Sequence, residues 1–241
     1  MARRLEPVAR QVVDEAAITA RDMVLDIATG TGNAALLAAT RARTIAVDFE
    51  PALVRIGATR SAAVGWLVGD AAALPIADGA ANVVLSVFGV MYAPGSAARE
   101  LARCTKPGGR VVLASWVPGS LLPATGAAMA PFLPPPTGAP PSRWGDPAAL
   151  ADLLTPHRLR LDAADAHDLP LIFPDVETAA GFFVDTAGHA QRERPRLEAE
   201  GRWDDLHAAV GDAIEARATH RAGGIELRAR YLLARLRRTR A

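Results

Sequence analysis

The pattern of apolar and polar positions divides the chain into two halves of different character. In the first half, short apolar runs alternate with stretches whose apolar residues recur at helical spacing. Apolar runs that alternate with helices are typical of strands in a parallel sheet covered on both faces. The predicted strands are 23–28, 44–47, 65–68, 81–88 and 110–116, and the predicted helices are 7–20, 33–42, 51–59 and 96–104.

The second half begins with a proline-rich segment. Six prolines lie between Pro131 and Pro141, and such a run is incompatible with a helix interior or a central strand. We therefore predict a loop or lid over 117–145. Because two strands do not make a stable sheet alone, we expect the strands of this half to join the first sheet. Beyond the loop, the pattern predicts helices over 147–154, 176–187 and 203–217 and strands over 159–173 and 225–233.

Composition and charge narrow the function classes. Half of the 241 residues are hydrophobic and 22% are charged, which are ordinary values for a globular protein. No run approaches the roughly 18 apolar residues of a membrane span, and the N-terminus shows no signal peptide, so we expect a cytoplasmic protein. Cys104 is the only cysteine, which excludes an internal disulfide and a multi-cysteine metal site, and we expect no metal. The net charge of +1 and the lack of a basic stripe disfavour nucleic acid as a partner.

The sharpest local feature is the segment 24–33, in which a predicted strand ends in a glycine-rich turn. Gly30 and Gly32 let the backbone turn tightly and approach a ligand. Together with Ala35 they fit the dinucleotide pattern G-x-G-x-x-G/A, although three small residues are common in an alanine-rich chain. On these residues alone, a plain strand-to-helix turn and a ligand-binding loop both remain open.

Three carboxylates lie at or near the ends of predicted strands, where open α/β sheets bind ligands. Asp26 lies inside the first strand, where its charge would oppose a pyrophosphate and assist a positively charged ligand. Asp48 ends the second strand, where an acidic residue can accept hydrogen bonds from both hydroxyls of a ribose. Asp70, between Gly69 and Ala71, ends the third strand, and a carboxylate beside a backbone N–H suits the edge of an adenine. Asp26 and Asp48 also have a structural interpretation, as caps of the next loop or helix.

Together with their spacing, four motifs resemble those of the class I S-adenosylmethionine-dependent methyltransferases: VLDIATGTGN, AVDFEP, GDAAALPIADGAANVVLSVFGV and TKPGGRVVLASW. The chain looks most similar to the small-molecule branch that resembles the ubiquinone and menaquinone biosynthesis enzymes. The resemblance covers about residues 5–116. It implies an α/β fold with a Rossmann-like, doubly wound seven-stranded sheet. That sheet would be mostly parallel, with one antiparallel strand near the edge and helices on both faces.

The resemblance also implies a single methyltransferase domain over 1–241. Residues 1–116 would form its cofactor-binding half, 117–200 a variable acceptor-binding or lid region, and 201–241 the closing helix and last strand. Only about 20 residues precede the first predicted strand, fewer than in many relatives. A cover over the cofactor would therefore come from the first helix, the proline-rich loop or the second subunit of a homodimer.

The cofactor implied by the resemblance is S-adenosylmethionine. The glycine loop would contact its methionine part and ribose, Asp26 its ammonium, and Asp48 its ribose hydroxyls. Phe49 would flank the adenine, Asp70 with the Ala71 N–H would recognise the adenine edge, and the end of the fourth strand would lie beside the sulfonium. The implied cofactor-binding residues are Asp26, Ala28, Thr29, Gly30, Gly32, Asn33, Asp48, Phe49, Gly69, Asp70, Ala71, Ala72, Ser86, Val87 and Phe88.

Methyl transfer requires the nucleophile, methyl and sulfur in line, and a general base only where the acceptor must lose a proton. Tyr92 is the only titratable residue in 89–94 and is a candidate hydrogen-bond donor to the acceptor, with simple packing as the alternative. His189 is the candidate base among five histidines, although surface or capping roles are commoner for such residues. We expect a small, hydrophobic or aromatic acceptor molecule. The candidate acceptor-binding residues are Tyr92, Trp116, Phe132, Trp144, Phe182 and Phe183.

Two other functions remain open from the sequence. A protein of this fold can be a non-methylating catalyst, such as a cyclase, or an inactive partner subunit, and the lack of a base after the fourth strand allows either. An NAD-dependent oxidoreductase would account for Gly30, Gly32 and Ala35. That interpretation leaves Asp26 and Asp70 without a role, so we prefer methyl transfer.

Overall fold

The computed structural model describes residues 2–93, 95–135 and 141–240. These residues form two compact units, and three of the boundaries between units fall within long strands. The first unit contains the described chain up to Ser115, residues 141–167 and the chain from Leu232 onward. The second unit contains residues 116–135 and Asp168–Tyr231.

The described strands form a single mixed sheet. Their bounds are β1 Met23–Ile27, β2 Arg43–Asp48, β3 Val64–Val68, β4 Ala81–Val87, β5 Thr105–Trp116, β6 Leu159–Phe173, β7 Thr219–Arg221 and β8 Gly224–Arg238. The order across the sheet is β3-β2-β1-β4-β5-β8-β6, and β7 pairs antiparallel with β8. The sheet therefore has eight strands where the sequence predicted seven, because the three-residue β7 is too short to give a periodic signal.

Nine α-helices lie in the described part of the chain. Three of them begin where a carboxylate accepts a hydrogen bond from a backbone N–H of the first turn: Glu50, Asp146 and Asp175 cap α3, α6 and α7. Their bounds are α1 Glu6–Glu15, α2 Asn33–Ala39, α3 Pro51–Arg60, α4 Ser96–Cys104, α5 Leu121–Met129, α6 Pro147–Leu154, α7 Val176–Thr186, α8 Gly188–Ala199 and α9 Trp203–Glu215.

The strands β3, β2, β1, β4 and β5 are parallel to one another. From β1 the chain moves outward through α2 and α3, and from β4 it moves the other way through α4. Because such crossovers are right-handed, the two directions place α2 and α3 on one face and α4 on the other. Both faces of β1 are buried, as its near-continuous apolar sequence predicts. The carboxyl ends of these parallel strands meet at one edge of the sheet.

The second unit has a core of its own. One face of α9 is buried through Leu206, Val210 and Ile214, at the spacing of an amphipathic helix. This helix packs against α5 and α7. The rings of Phe173, Phe182 and Phe183 lie 5.3–5.9 Å apart at tilted or edge-on angles, which favours aromatic packing.

The predicted loop over 117–145 is wrong in part, because α5 and two 3-10 turns occupy much of its described length. Pro123 is the third residue of α5, where its missing N–H would have no partner within the helix in any case. The remainder of this prediction, over 136–140, lies outside the described residues.

Several predicted boundaries also differ from the structure, among them that of the last strand, which covers Gly224–Arg238 rather than 225–233. The first helix ends at Glu15 rather than residue 20. The strand predicted over 110–116 begins earlier, at Thr105, and residues 106–109 lie at a register shift against β4 that accommodates Gly108 at a φ of +80°. The helix predicted over 176–187 stops at Thr186, and α8, which the sequence analysis missed, follows it.

The segment between β3 and β4 has no regular structure and is held to α4 by one arginine. Arg103 donates to the backbone oxygens of Leu74 and Ile76 and to the carboxylates of Asp78 and Glu100. Glu100 is buried and also accepts from the Leu74 N–H at 2.8 Å. The Arg103 guanidinium holds the pKa of Glu100 below its usual value. The Arg103–Glu100 pair therefore stabilises the buried charge of Glu100 and fixes the segment between β3 and β4 against α4.

No helix in the described ranges is both long and apolar enough to cross a membrane.

Replacing Arg103 by Ala should destabilise the fold strongly, because it leaves the Glu100 carboxylate buried without its cation. Breaking a buried pair costs about 3–5 kcal/mol, and the partly exposed guanidinium brings the expected loss in the free energy of unfolding to about 2–4 kcal/mol. Urea denaturation followed by tryptophan fluorescence measures this. The matched control is Arg10→Ala, which removes an exposed ion pair on α1 and should change stability little. Equal losses in the two variants would contradict the prediction.

Candidate functional site

A cavity of about 380 Å³ opens at the carboxyl ends of the parallel strands in the first unit. Its volume falls in the range of roughly 300–1,000 Å³ that is usual for small-molecule sites. Open α/β sheets bind ligands at this edge. The cavity is lined by Ile27, Ala28, Val47, Asp48, Phe49, Gly69, Asp70, Ala71, Leu74, Gly89, Tyr92 and Ala93.

Asp48 connects the end of β2 to the glycine loop. Its Oδ2 accepts from the Gly30 N–H at 2.7 Å, and its Oδ1 accepts from the Glu50 N–H at 2.9 Å. A carboxylate has about four lone-pair positions, so each oxygen can accept a further hydrogen bond. The residue is 8% exposed, and this small exposed part lines the cavity. Asp48 is thus positioned by the backbone and retains acceptor capacity for a ligand.

Asp26 lies beneath the same loop and is fully buried. Its Oδ2 accepts from the Thr29 hydroxyl and from the Ala35 N–H, whereas its Oδ1 is buried without a hydrogen-bond partner among the described residues. Burial, with the charge of Asp48 in addition, raises the pKa of Asp26 to about 7. A buried polar atom without a partner is costly, which makes it a candidate contact for a ligand.

The two glycines of the loop have different physical roles. Gly30 has a φ of +59°, and a side chain added there would meet nothing within 4 Å, so its backbone is open to a ligand. Gly32 has a φ of +89°, and an added Cβ would lie 2.2 Å from the ring of Trp66. The ring also excludes a side chain at Gly57 on α3. A glycine is therefore required at position 32 by its positive φ at the start of α2 and by the Trp66 ring. At Gly30 the space beside the backbone stays open for a ligand.

The predicted cofactor-binding residues divide into two groups. Those that line the cavity are Ala28, Asp48, Phe49, Gly69, Asp70 and Ala71. The others surround or support it: Asp26, Thr29, Gly30, Gly32, Asn33, Ala72, Ser86, Val87 and Phe88. In this second group, Asn33 accepts from Arg60 of α3 at 3.2 Å, and the Ala72 N–H donates to Asp70 at 2.8 Å.

Tyr92 lies at the rim of the cavity and is 64% exposed. It ends a 3-10 turn, Val90–Tyr92, that packs against the turn Pro141–Gly145. That second turn carries Trp144, which is buried. Of the candidate acceptor-binding residues, Tyr92 and Trp144 therefore lie in the first unit, on turns that contact each other.

The other candidate acceptor residues lie in the second unit. Trp116 and Phe183 are buried, and Phe182 packs in the ring cluster with Phe173. Phe132 contacts two arginines. Arg196 donates to its backbone oxygen at 2.7 Å, and the guanidinium of Arg202 lies 5.0 Å from its ring centre. Phe132, Phe182 and Phe183 thus have packing partners within their own unit.

His189 lies in the first turn of α8, beyond the helix α7 that carries Phe182 and Phe183, and is partly exposed. Partial desolvation of its ring, together with the charge of Arg192, lowers the pKa of His189. A lowered pKa favours the neutral ring that a general base requires.

The sequence analysis missed five residues that line the cavity. Ile27, Val47 and Leu74 are apolar and carry no chemical signal of their own. Gly89 and Ala93 lie in the segment after β4 that contains Tyr92. Of these two, only Gly89 could have been noticed in the sequence, because a glycine directly after an apolar run indicates a close approach of the backbone. No group of three or more potential metal ligands occurs among the residues described.

Comparison with known proteins identifies the family. A profile described as a methyltransferase domain matches residues 24–109, which include the glycine loop and the carboxylates at the cavity. Rv1405c, an uncharacterized protein of Mycobacterium tuberculosis, is 32% identical over 218 residues, which are 87% of this chain and 75% of that protein. Rv1403c from the same organism is 36% identical over 148 residues, and that match spans 58% of this chain and 54% of that protein. The chain thus spans about half the length of the first curated relatives that it matches.

A named enzyme also matches in part. The demethylmenaquinone methyltransferase of Renibacterium salmoninarum is 36% identical over 110 residues, which are 44% of this chain and 46% of that enzyme. This match supports the general resemblance and leaves the particular branch a prediction.

Solved structures show the same fold at low identity. The YcgJ protein of Bacillus subtilis superimposes with a TM-score of 0.68 at 18% identity, covering 97% of this chain and 98% of that one. The [4+2]-cyclase SpnF superimposes with a TM-score of 0.62 at 18% identity, covering 98% and 82%. A geranyl diphosphate methyltransferase in complex with S-adenosylmethionine gives 0.59 at 17% identity, covering 97% and 85%.

Residues 24–109 thus match a methyltransferase domain, and the described chain has a Rossmann-like α/β fold. By its match over 87% of its length, the chain belongs to the family that includes Rv1405c of Mycobacterium tuberculosis.

Replacing Asp26 by Asn should remove a pH dependence of stability. The pKa of Asp26 is about 7 in the folded protein and near 3.8 when unfolded. The folded state thus binds the Asp26 proton more tightly than the unfolded state does. The protonated carboxyl therefore contributes to the free energy of unfolding at low pH, and this contribution is lost as the pH rises through 7. From pH 6 to pH 8 the loss is about 1.4 kcal/mol in the native protein, and this contribution is absent in the Asp26→Asn variant. Urea unfolding at both pH values measures it, and equal pH dependence in the two proteins would contradict it.

Proposed function

We propose that this protein binds S-adenosylmethionine in the cavity at the carboxyl edge of the sheet and transfers its methyl group to a small molecule. The observation that carries the proposal is the arrangement of Asp26 and Asp48 around the glycine loop. Both carboxylates contact that loop, yet each keeps acceptor capacity that no described residue uses.

The residues present fit this cofactor. The buried Oδ1 of Asp26 has no partner among the described residues, and a cationic ligand group near the loop would compensate it. Asp48 would accept the ribose hydroxyls with its remaining lone pairs. Asp70 and Ala71 line the cavity beyond β3 and would recognise the adenine edge, and the exposed Phe49 would cover the ring face. The open space at Gly30 allows the backbone to approach the ligand.

When bound, S-adenosylmethionine supplies a methyl carbon made electrophilic by the sulfonium. The residues of this chain then act mainly by positioning, since an in-line displacement depends on alignment. The cavity lining includes Asp48, Asp70 and Tyr92 as its titratable side chains among the described residues. Tyr92 would orient the acceptor through its hydroxyl. The apolar part of the lining favours a hydrophobic or aromatic acceptor.

Three further points stay predictions from the sequence. They are the small-molecule branch that includes the quinone biosynthesis enzymes, the homodimer, and the roles of Trp116, Phe132, Trp144, Phe182, Phe183 and His189. If His189 is a base, His189→Ala should lower kcat/KM for the acceptor, once that acceptor is known.

A non-methylating catalyst is the second candidate function. The described lining of the cavity contains no histidine, lysine or glutamate, and its two aspartates, Asp48 and Asp70, are the ones assigned above to the cofactor. That assignment leaves no general base in the lining for an acceptor that must lose a proton. The fold is shared with a [4+2]-cyclase, which shows that similar structures support other reactions. Formation of S-adenosylhomocysteine with an acceptor distinguishes the two, because a non-methylating catalyst forms none.

The first test is calorimetric titration of the purified protein with S-adenosylhomocysteine and, in parallel, with NAD. We expect binding of S-adenosylhomocysteine alone. Binding of NAD alone would favour the oxidoreductase, because the glycine pattern by itself fits both cofactors. Binding of neither would refute the proposed cofactor site.

Asp48→Ala should weaken the binding of S-adenosylhomocysteine about 10- to 150-fold. It removes a charged acceptor from two hydroxyls, which is worth about 1.5–3 kcal/mol. Calorimetry measures the ratio of dissociation constants. Asp14→Ala is the matched control. It removes an exposed carboxylate on α1, which pairs with Arg41, and should leave the affinity unchanged. Unchanged affinity in the Asp48→Ala protein would place Asp48 outside the cofactor site.

A further inference from the structure

We infer that the Ser86 hydroxyl is a positioning group that holds the cofactor loop and the turn bearing Tyr92 in a fixed relation. This inference rests on the proposed function and adds to it a residue that acts through others. We call the contact among Ile27, Ala28, Ser86, Gly89 and Val90 the Ser86 junction.

Ser86 uses its hydroxyl in both directions. Its Oγ donates to the backbone oxygen of Ile27 at 2.7 Å and accepts from the Val90 N–H at 3.1 Å. The first bond joins the ends of β1 and β4, and the second fixes the start of the Val90–Tyr92 turn. Ser86 is completely buried. The side chain therefore acts on the two segments it connects, rather than directly on a molecule in the cavity.

The backbone on both sides of the junction is strained. Ala28, directly after Ile27, has a φ of +53°, and Phe88 has a φ of +60°. The left-handed region is disfavoured for residues that carry a Cβ, so the surroundings must hold these conformations. The Phe88 N–H donates to the Ala114 oxygen at 2.9 Å, and the Ser86 bonds flank both strained residues. Removing the hydroxyl would release part of this restraint.

Gly89 brings the two segments into direct contact. A Cβ at this position would lie 2.4 Å from the Cβ of Ala28 and 2.5 Å from its backbone oxygen. Such distances are far below van der Waals contact, so a side chain here would push the loop and the turn apart. The junction thus depends on a hydroxyl at Ser86 and on an absent side chain at Gly89.

The junction lies directly behind the cavity. Ile27 and Ala28 line the cavity from the loop side, and Gly89, Tyr92 and Ala93 line it from the turn side. The distance from the cofactor loop to Tyr92 is therefore set through Ser86. In an in-line reaction, this distance determines how the acceptor meets the methyl group.

The test compares Ser86→Ala with the native protein by calorimetric titration with S-adenosylhomocysteine, at a temperature where both are folded. We expect affinity to fall about 10-fold in Ser86→Ala. Hydrogen exchange read at individual amides should show faster exchange at Val90, whose N–H loses its acceptor, and at Tyr92 and Ala93 in the same turn.

The matched control is Thr105→Val. Thr105 is also fully buried, and its hydroxyl donates to the Leu101 oxygen at 2.6 Å, outside the cavity lining. This variant loses one buried hydrogen bond and should lose stability, yet it should keep the native affinity. Ser86→Ala with the same Tm loss as Thr105→Val and an unchanged affinity would overturn the inference, since Ser86 would then be a stabilising core hydroxyl alone.

Gly89→Ala is a second variant that leaves the Ser86 hydroxyl in place. It should weaken binding by displacing Ala28, whereas Gly126→Ala on α5, where an added Cβ meets nothing within 4 Å, should not. Native affinity in Gly89→Ala would also overturn the inference, including where Ser86→Ala does not fold. Failure of the native protein itself to bind S-adenosylhomocysteine would refute the proposed function instead, so the two failures are distinct.

Discussion

The geometry of the candidate site depends on the glycine loop between β1 and α2, which two carboxylates hold from the strands beside it. Asp26 accepts from Thr29 and Ala35, and Asp48 accepts from Gly30. Two like charges that influence each other near one loop are unfavourable, and burial raises the pKa of Asp26 to about 7. The fold tolerates this cost at the edge where we propose that the cofactor binds, and a cationic ligand would relieve it.

The other segments at this edge are also fixed by single polar side chains that come from regular elements. Arg103 on α4 holds the segment after β3, which includes Asp70 and Ala71. Ser86 on β4 joins the end of β1 to the turn that carries Tyr92. Loops have few backbone hydrogen bonds of their own, so side chains anchored in strands and helices determine where they lie. The site is thus rigid where it meets the sheet and exposed at Phe49 and Tyr92.

The periodic parts of the sequence predicted the structure well. Apolar runs located β1 to β5, and apolar residues at helical spacing located α2 to α4 and α6. α8 was missed because only Ala190 and Leu197 are buried on it, and because Pro195 lies within it. Ion pairs such as Arg194–Glu198 and Arg196–Glu200 support that helix instead, and such pairs leave no apolar period to detect. α5 was missed because a proline such as Pro123 usually indicates the end of a helix, whereas the structure places Pro123 in the first turn, where proline is tolerated.

By itself, the sequence determined the order of strands and helices, the glycine loop and the three carboxylates at or near the ends of consecutive strands. These features are local, because each depends on residues a few positions apart. Only the tertiary structure decided that Trp66 accounts for Gly32, that Ser86 supports the cavity from behind and that Ile27, Leu74 and Gly89 line it. Such roles arise from contacts between residues far apart in the chain, and a single sequence carries no record of which distant side chains meet.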